Sequence, residues 1–151
     1  MIAGLDIKPL WSDVDVIKAS ISAFNGEFGG VPEVYIGIGG LAEAASLLEG
    51  FPRASSDVRE LEFGTFSPGF AGGGVYLHFS CADGAGHAIA EVRIASDSTR
   101  EMGGRLNRPA QSAHFFALLE ANAVDEFVAD LRRSETTLTG AAFLRFEKGL
   151  A

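Results

Sequence analysis

Residues 72–96, GGGVYLHFSCADGAGHAIAEVRIAS, decide the fold of this chain. Apolar and polar residues alternate on both sides of a short Asp-Gly-Ala-Gly stretch, and this is the period of a half-buried β-strand. The residues predicted to face the core are Val75, Leu77, Phe79 and Cys81 on the first arm and Ala88, Ala90, Val92 and Ile94 on the second. The segment therefore predicts an antiparallel hairpin at the centre of a sheet, with the lone cysteine buried beneath it.

The segments before this hairpin predict three more strands and a helix. Residues 16–24 alternate in the same way, and residues 31–38 predict a strand that pairs with them. Pro32 cannot donate to a ladder, so this second strand is expected at a sheet edge. The helix is predicted by an apolar stripe of Leu41, Ala44, Ala45 and Leu48. Residues 58–66 return to strand character.

The segments after the hairpin are less regular. Residues 110–120 fit either a strand or a backward extension of the next helix. We interpret them as a strand, because Asn122 offers an N-cap for a helix that starts after it. The stripe of that helix is Val124, Phe127, Val128 and Leu131. Residues 136–146 predict a final strand.

The resulting order, β-β-α-β-β-β-β-α-β, is typical of an α+β domain. We expect a single curved, mainly antiparallel sheet of about six to seven strands with two helices packed on one face. Residues 1–151 are expected to form one domain, in which residues 1–15 are an irregular N-terminal segment.

Charge and composition restrict the partners. The chain has 20 acidic and 12 basic residues, a net charge of −8, which repels nucleic acid and anionic membrane surfaces but attracts basic protein surfaces. One cysteine allows no internal disulfide, and there is no apolar run long enough for a signal peptide or a membrane span. We expect a cytoplasmic protein without nucleic-acid or membrane partners.

His78, Cys81, Asp83 and His87 come nearest to a catalytic group. Since residues three apart on a strand face opposite sides of a sheet, His78 and Cys81 are not expected to meet. Asp83 is predicted to begin the turn by accepting a backbone N–H two residues on, and His87 to start the return strand near the solvent face. We interpret these polar residues as turn-structuring or binding residues, and expect no catalytic residue, metal ligand or cofactor site.

Three other features carry weaker functional hypotheses. The glycine-rich residues 37–40 lie where a phosphate-binding loop would, but they lack its spacing and predict a strand-to-helix turn. The arginines of the longest polar interruption, which could bind an anion or an acidic partner surface, are Arg100, Arg105 and Arg108. The aromatic residues that would anchor an interface if they are exposed are Trp11, Tyr35 and Tyr76.

The outline of the chain resembles a group of small bacterial domains of unknown function, several of which are thought to be immunity proteins that neutralise toxins. The similarity spans residues 17–131, through FNGEFGGVPEVYIG, LAEAASLLEGFP, LEFGTF, the central hairpin with its Asp-x-x-Gly-His turn, and FFALLEANAVDEFVADL. The resemblance implies a structural role for Gly86, which would supply a backbone conformation closed to other residues, and for His87, which would fix the turn by a hydrogen bond. It implies no catalytic residues.

The leading hypothesis is a non-catalytic domain that binds another protein, such as a toxin. The alternative is a small-molecule-binding or hydrolase-like enzyme that uses His78, His87 or His114 as a base in a pocket between sheet and helices. A third hypothesis is self-association into a dimer, through the edge strand at Pro32 or through an exposed face.

Overall fold

Two antiparallel sheets and two helices form the fold, in a computed structural model that describes residues 2–67, 70–97, 101–102, 106–107 and 111–147. In chain order the elements are β1 (Gly4–Ser12), β2 (Val16–Phe24), β3 (Gly29–Gly30), β4 (Glu33–Gly37), α1 (Gly40–Leu48), β5 (Arg59–Gly64), β6 (Gly74–Cys81), β7 (His87–Ala95), β8 (Glu101–Met102), β9 (Leu106–Asn107), β10 (Ser112–Glu120), α2 (Ala121–Thr137) and β11 (Ala142–Arg145). The five-stranded sheet has the order β11-β1-β2, with β3 and β4 both on the far side of β2. The four-stranded sheet has the order β10-β7-β6-β5, and β8 pairs with β9 in a separate ribbon.

The α+β class and the central hairpin of β6 and β7 are confirmed, but the single sheet with both helices on one face is wrong. Helix α1 carries the chain from β4 in the five-stranded sheet to β5 in the four-stranded sheet, and α2 leads from β10 back to β11. Each helix therefore packs against strands of both sheets: α1 against β4 and β5, and α2 against β10 and β11. Alternation reveals which residues form a strand but not which strand is its neighbour.

The N-terminal segment is not irregular, because most of it forms β1, which pairs with both β2 and β11. The register with β2 shifts between Pro9 and Trp11, so Leu10 is the extra residue of a β-bulge. The bulge interrupts the alternation that begins at Leu5 and Ile7. This interruption hides the strand in the sequence pattern.

Both helices bury the predicted apolar stripes. The N-cap predicted at Asn122 is wrong, because α2 begins at Ala121 and its N-cap is Glu120. The N–H of Ala121 donates to the carbonyl oxygen of Gly86 at 3.1 Å, so β10 runs into the helix without a capping turn. No helix in the described part of the chain has the length and apolar character needed to cross a bilayer.

A single apolar core lies between the sheets and the helices. Backbone hydrogen bonds tie the sheets together at their margins: the N–H of Gly73 donates to the carbonyl of Glu33 at 2.8 Å, and that of Glu147 donates to Leu118 at 2.7 Å. Both helices and the longer strands of both sheets contribute side chains to this core.

Arg59, the first residue of β5, fastens the end of α1 to the four-stranded sheet. Its guanidinium donates to the carbonyl oxygens of Leu47 at 2.9 Å and Glu49 at 3.2 Å, and to both carboxylate oxygens of Asp57 at 2.8 Å. The hydrogen bond from Arg59 is the main cause that lowers the pKa of Asp57. The last carbonyls of α1, which have no partner within the helix, are satisfied in this way.

Candidate functional site

The turn between β6 and β7 is organised by the side chain of Asp83. Its Oδ1 accepts the N–H of Ala85 at 2.7 Å and that of His87 at 3.3 Å, and its Oδ2 lies 2.8 Å from Nδ1 of His87. Gly86 has a φ of +90°, a left-handed conformation that side chains disfavour, although the space around it is open. Asp83, Gly86 and His87 therefore form one hydrogen-bonded turn.

The pair of Asp83 and His87 also links the turn to the end of β10. Nε2 of His87 lies 3.6 Å from Oε1 of Glu120. The hydrogen bond with Asp83 is the main cause that raises the pKa of His87, while the bond from the N–H of Ala85, followed by that from His87, lowers the pKa of Asp83. These groups are exposed, and their arrangement stabilises the turn rather than enclosing a substrate.

We expect the contribution of His87 to the stability of the folded protein to decrease as the pH rises. A group whose pKa is raised above its unfolded value, here about 6.5, contributes stability that is fully present below that value and is lost as the pH passes through the folded pKa. Urea denaturation between about pH 6 and pH 8 should therefore show a larger fall in stability for the natural chain than for His87→Gln. Parallel pH curves for the two proteins would contradict this role of His87.

The other two histidines lie on the outer face of the same four-stranded sheet. Nε2 of His78 on β6 is 4.0 Å from Oε1 of Glu60, and Nε2 of His114 on β10 is 2.7 Å from Oε2 of Glu91. Arg93 also contacts Glu91 at 3.2 Å, and the hydrogen bond with His114 is the main cause that lowers the pKa of Glu91. The three histidines thus form separate pairs with carboxylates on an open surface.

Cys81 is only partly buried, which corrects the prediction of a buried thiol. It ends β6, where the sheet stops, and its Sγ donates to the carbonyl oxygen of Ala54 at 3.4 Å. Among the described residues no hydrogen bond joins this thiol to a histidine. The opposite facing of His78 and Cys81, predicted from their spacing, agrees with this arrangement.

The glycine-rich turn before α1 does not offer a free anion site. The N–H groups of Leu41 and Ala42 donate to Oε1 of Glu135, at 3.1 and 3.3 Å. Glu135 comes from α2, so the amides that would hold a phosphate already hold a carboxylate of the same chain. The prediction of a plain strand-to-helix turn at residues 37–40 is confirmed.

A cleft of about 510 Å³ opens between residues 29–33 and the ends of β7 and β10. Lys18 and Glu33 lie on one side of it, and Ser96 and Ser112 on the other. Among the described residues, no histidine lines this cleft or the two smaller clefts beside α1. Within the described ranges, no three His, Cys, Asp or Glu side chains converge as metal ligands would.

The arginines of the longest polar interruption, Arg100, Arg105 and Arg108, lie outside the described residues. Their binding of an anion or an acidic surface therefore stays a prediction.

Four exposed apolar residues lie at the end of the five-stranded sheet where β1 turns into β2. Leu10 and Trp11 lie on β1, Val14 lies in the turn, and Ile38 follows β4; their exposed fractions are 47%, 47%, 88% and 44%. The N–H of Ile38 donates to the carbonyl oxygen of Asp15 at 3.0 Å, which joins the turn after β4 to the β1–β2 turn. We call Leu10, Trp11, Val14 and Ile38 the hairpin-tip patch.

Cross-strand neighbours hold Trp11 in position. The bulge at Leu10 places Trp11 opposite Lys18 on β2, and Lys18 is opposite Tyr35 on β4. The rings of Trp11 and Tyr35 meet edge to face with centroids 6.2 Å apart, and Nζ of Lys18 lies 5.6 Å from the Tyr35 centroid. The indole is thus a fixed element of the surface.

Of the four residues in this patch, the sequence indicates only Trp11 as an interface anchor. Trp11 is half exposed, whereas Tyr35 and Tyr76 are partly buried. Leu10, Val14 and Ile38 are not predicted as surface residues. The available signal is the run Asp-Val-Asp at residues 13–15, because a valine between two aspartates in a turn fits a surface better than a core.

No protein-family model, curated protein or solved structure matches this chain.

Proposed function

We propose that this chain is a non-catalytic protein-binding domain that docks its partner through the hairpin-tip patch. The observation that carries the proposal is the half-exposed Trp11 beside Val14, whose side chain is almost fully exposed. Exposed apolar groups that adjoin one another typically mark interaction sites, and tryptophan is among the residues that contribute most to binding energy at protein interfaces.

The patch is built for binding without rearrangement. Oδ1 of Asp13 accepts the N–H groups of Asp15 and Val16, both at 2.8 Å, which fixes the turn that presents Val14. Tyr35 supports the indole of Trp11 from the side. Because these groups are ordered before the partner arrives, binding loses little conformational entropy.

The enzyme alternative has less support. A histidine acting as a base needs a substrate held within hydrogen-bond distance, usually in a concave pocket. His78, His87 and His114 each face a carboxylate on the open side of the four-stranded sheet. A catalytic histidine would need an enclosed pocket beside one of these pairs.

Among protein-binding functions, an immunity protein fits best, with a toxin as the partner. This assignment is supported by the resemblance of residues 17–131 to immunity-type domains and by the net charge of −8, which favours association with a basic protein. In this role the chain would act in the cytoplasm, where its free cysteine stays reduced. The toxin would be encoded beside the gene for this chain.

Replacing Trp11 with serine is expected to weaken binding to the toxin encoded by the adjacent gene by at least about tenfold. The affinity can be measured by calorimetry on purified proteins. Phe116→Ser is the matched control, because Phe116 is 45% exposed on a strand of the other sheet and lies outside the patch. The control should bind like the natural chain.

Two results would refute the proposed function. One is the absence of a complex between the natural chain and that toxin. The other is an equal loss of affinity in the Trp11→Ser and Phe116→Ser variants, since binding would then not depend on the patch.

A further inference from the structure

Two carboxylates flank the most exposed residue of the hairpin-tip patch. Asp13 and Asp15 lie on either side of Val14, and both are exposed. Neither forms an ion pair with another described residue. Oδ1 of Asp13 accepts two backbone N–H groups, but no described cation pairs with either carboxylate, so the turn presents an apolar side chain between two negative charges.

Lys18, which lies opposite Trp11, is paired with another carboxylate. Nζ of Lys18 lies 3.3 Å from Oε1 of Glu33 and is also directed at the ring of Tyr35. Glu33 takes up the charge of this lysine. The patch consequently keeps an acidic rim next to its apolar centre.

Asp13 and Asp15 are the sequence neighbours of Val14, so a partner that contacts Val14 also meets their negative charges. A surface that covers Val14 must come close to Asp13 and Asp15 and remove part of their hydration. A carboxylate that loses water without gaining a cation opposes binding. Binding through Val14 therefore requires positive groups on both sides of the apolar contact.

We infer that the partner of the hairpin-tip patch presents an apolar anchor flanked by lysine or arginine side chains. This inference rests on the proposed function and specifies the partner at the same site. A second copy of the chain fits poorly, because two such turns would bring four carboxylates together. Anionic membrane surfaces and nucleic acids are repelled for the same reason.

The tryptophan of the patch provides a direct readout, since Trp11 is the only tryptophan in the chain. Two synthetic peptides with the same Leu-Phe-Leu centre, one flanked by lysines and one by glutamates, are titrated against the full chain while Trp11 emission is recorded. We expect a saturable change with the lysine-flanked peptide and none with the glutamate-flanked peptide.

Charge variants then locate the effect. Asp13→Asn combined with Asp15→Asn keeps an oxygen acceptor for the turn, and it should weaken binding of the lysine-flanked peptide about tenfold at low salt and less at high salt. The control removes the same charge elsewhere, through Glu27→Gln at the other end of β2 and Asp125→Asn on α2. Circular dichroism verifies that both variants are folded.

The inference falls if neither peptide alters Trp11 emission, if both peptides bind alike, or if the two double variants lose affinity equally. The test also separates the inference from the proposed function. If Trp11→Ser abolishes binding of the toxin while Asp13→Asn with Asp15→Asn does not, the patch is an interface but its partner is not selected by charge.

Discussion

Replacing Phe79 with alanine is expected to lower the free energy of unfolding by about 3–5 kcal/mol. Phe79 lies in the middle of the four-stranded sheet and is fully buried. Its ring meets that of Phe51 edge to face, with centroids 5.9 Å apart. Removal of the ring leaves a cavity in the core that both sheets and both helices share, so the loss should affect the whole domain.

Urea denaturation measures this effect, with Phe28→Ala as the control. Phe28 is 58% exposed, so its replacement should change the stability by less than about 0.5 kcal/mol. A loss below about 1 kcal/mol for Phe79→Ala would contradict a common core, because a site that tolerates the cavity would not be packed from several sides.

Gly64→Ala is expected to cost about 2–4 kcal/mol, through backbone strain together with a steric clash. Gly64 ends β5 with a φ of +72°. A β-carbon there would overlap the carbonyl oxygen of Gly73 and would lie 3.0 Å from Cβ of Val34 on β4. The substitution therefore pushes β5 of the four-stranded sheet away from β4 of the five-stranded sheet.

Gly86→Ala separates the two contributions. Gly86 also has a positive φ, of +90°, but nothing lies within 4 Å of a β-carbon placed on it. This variant should lose only the strain, about 1–2 kcal/mol. Equal losses at the two glycines in a thermal or chemical denaturation series would show that the contact between the sheets at Gly64 is not tight.

Local patterns predict the elements whose signals are continuous in sequence. The alternation in residues 72–96 identifies both strands of the central hairpin, and the helical stripe of Leu41, Ala44, Ala45 and Leu48 is buried as expected. Apart from Cys81 at the end of β6, a single face of each of these segments is buried along its length. The period of the element therefore appears directly in the order of residues.

The pairing of strands that are distant in sequence could not be predicted from local patterns. Strand β1 is concealed by the bulge at Leu10, and its pairing with β11 joins residues from opposite ends of the chain. The division into two sheets depends on such contacts and on α1 and α2 crossing between the sheets. None of this is encoded in a local period.

The two parts of the candidate site also differ in how far they can be predicted from local sequence. The turn around Asp83 follows from local hydrogen bonding, so its chemistry can be predicted from the residues alone. The hairpin-tip patch depends on the bulge that positions Trp11 and on the backbone hydrogen bond that joins Ile38 to Asp15, which is distant in sequence. Recognition of that patch requires knowledge of the register of β1, β2 and β4.

The accessibility of Trp11 in the complex tests the central claim most directly. Acrylamide quenching of the fluorescence of a single tryptophan reports how freely solvent reaches the indole, and the proposed toxin partner can be prepared with its own tryptophans replaced by phenylalanine. We expect quenching of Trp11 to fall severalfold when the complex forms. Quenching that stays the same in a saturated complex would show that the partner binds elsewhere and would contradict docking through the hairpin-tip patch.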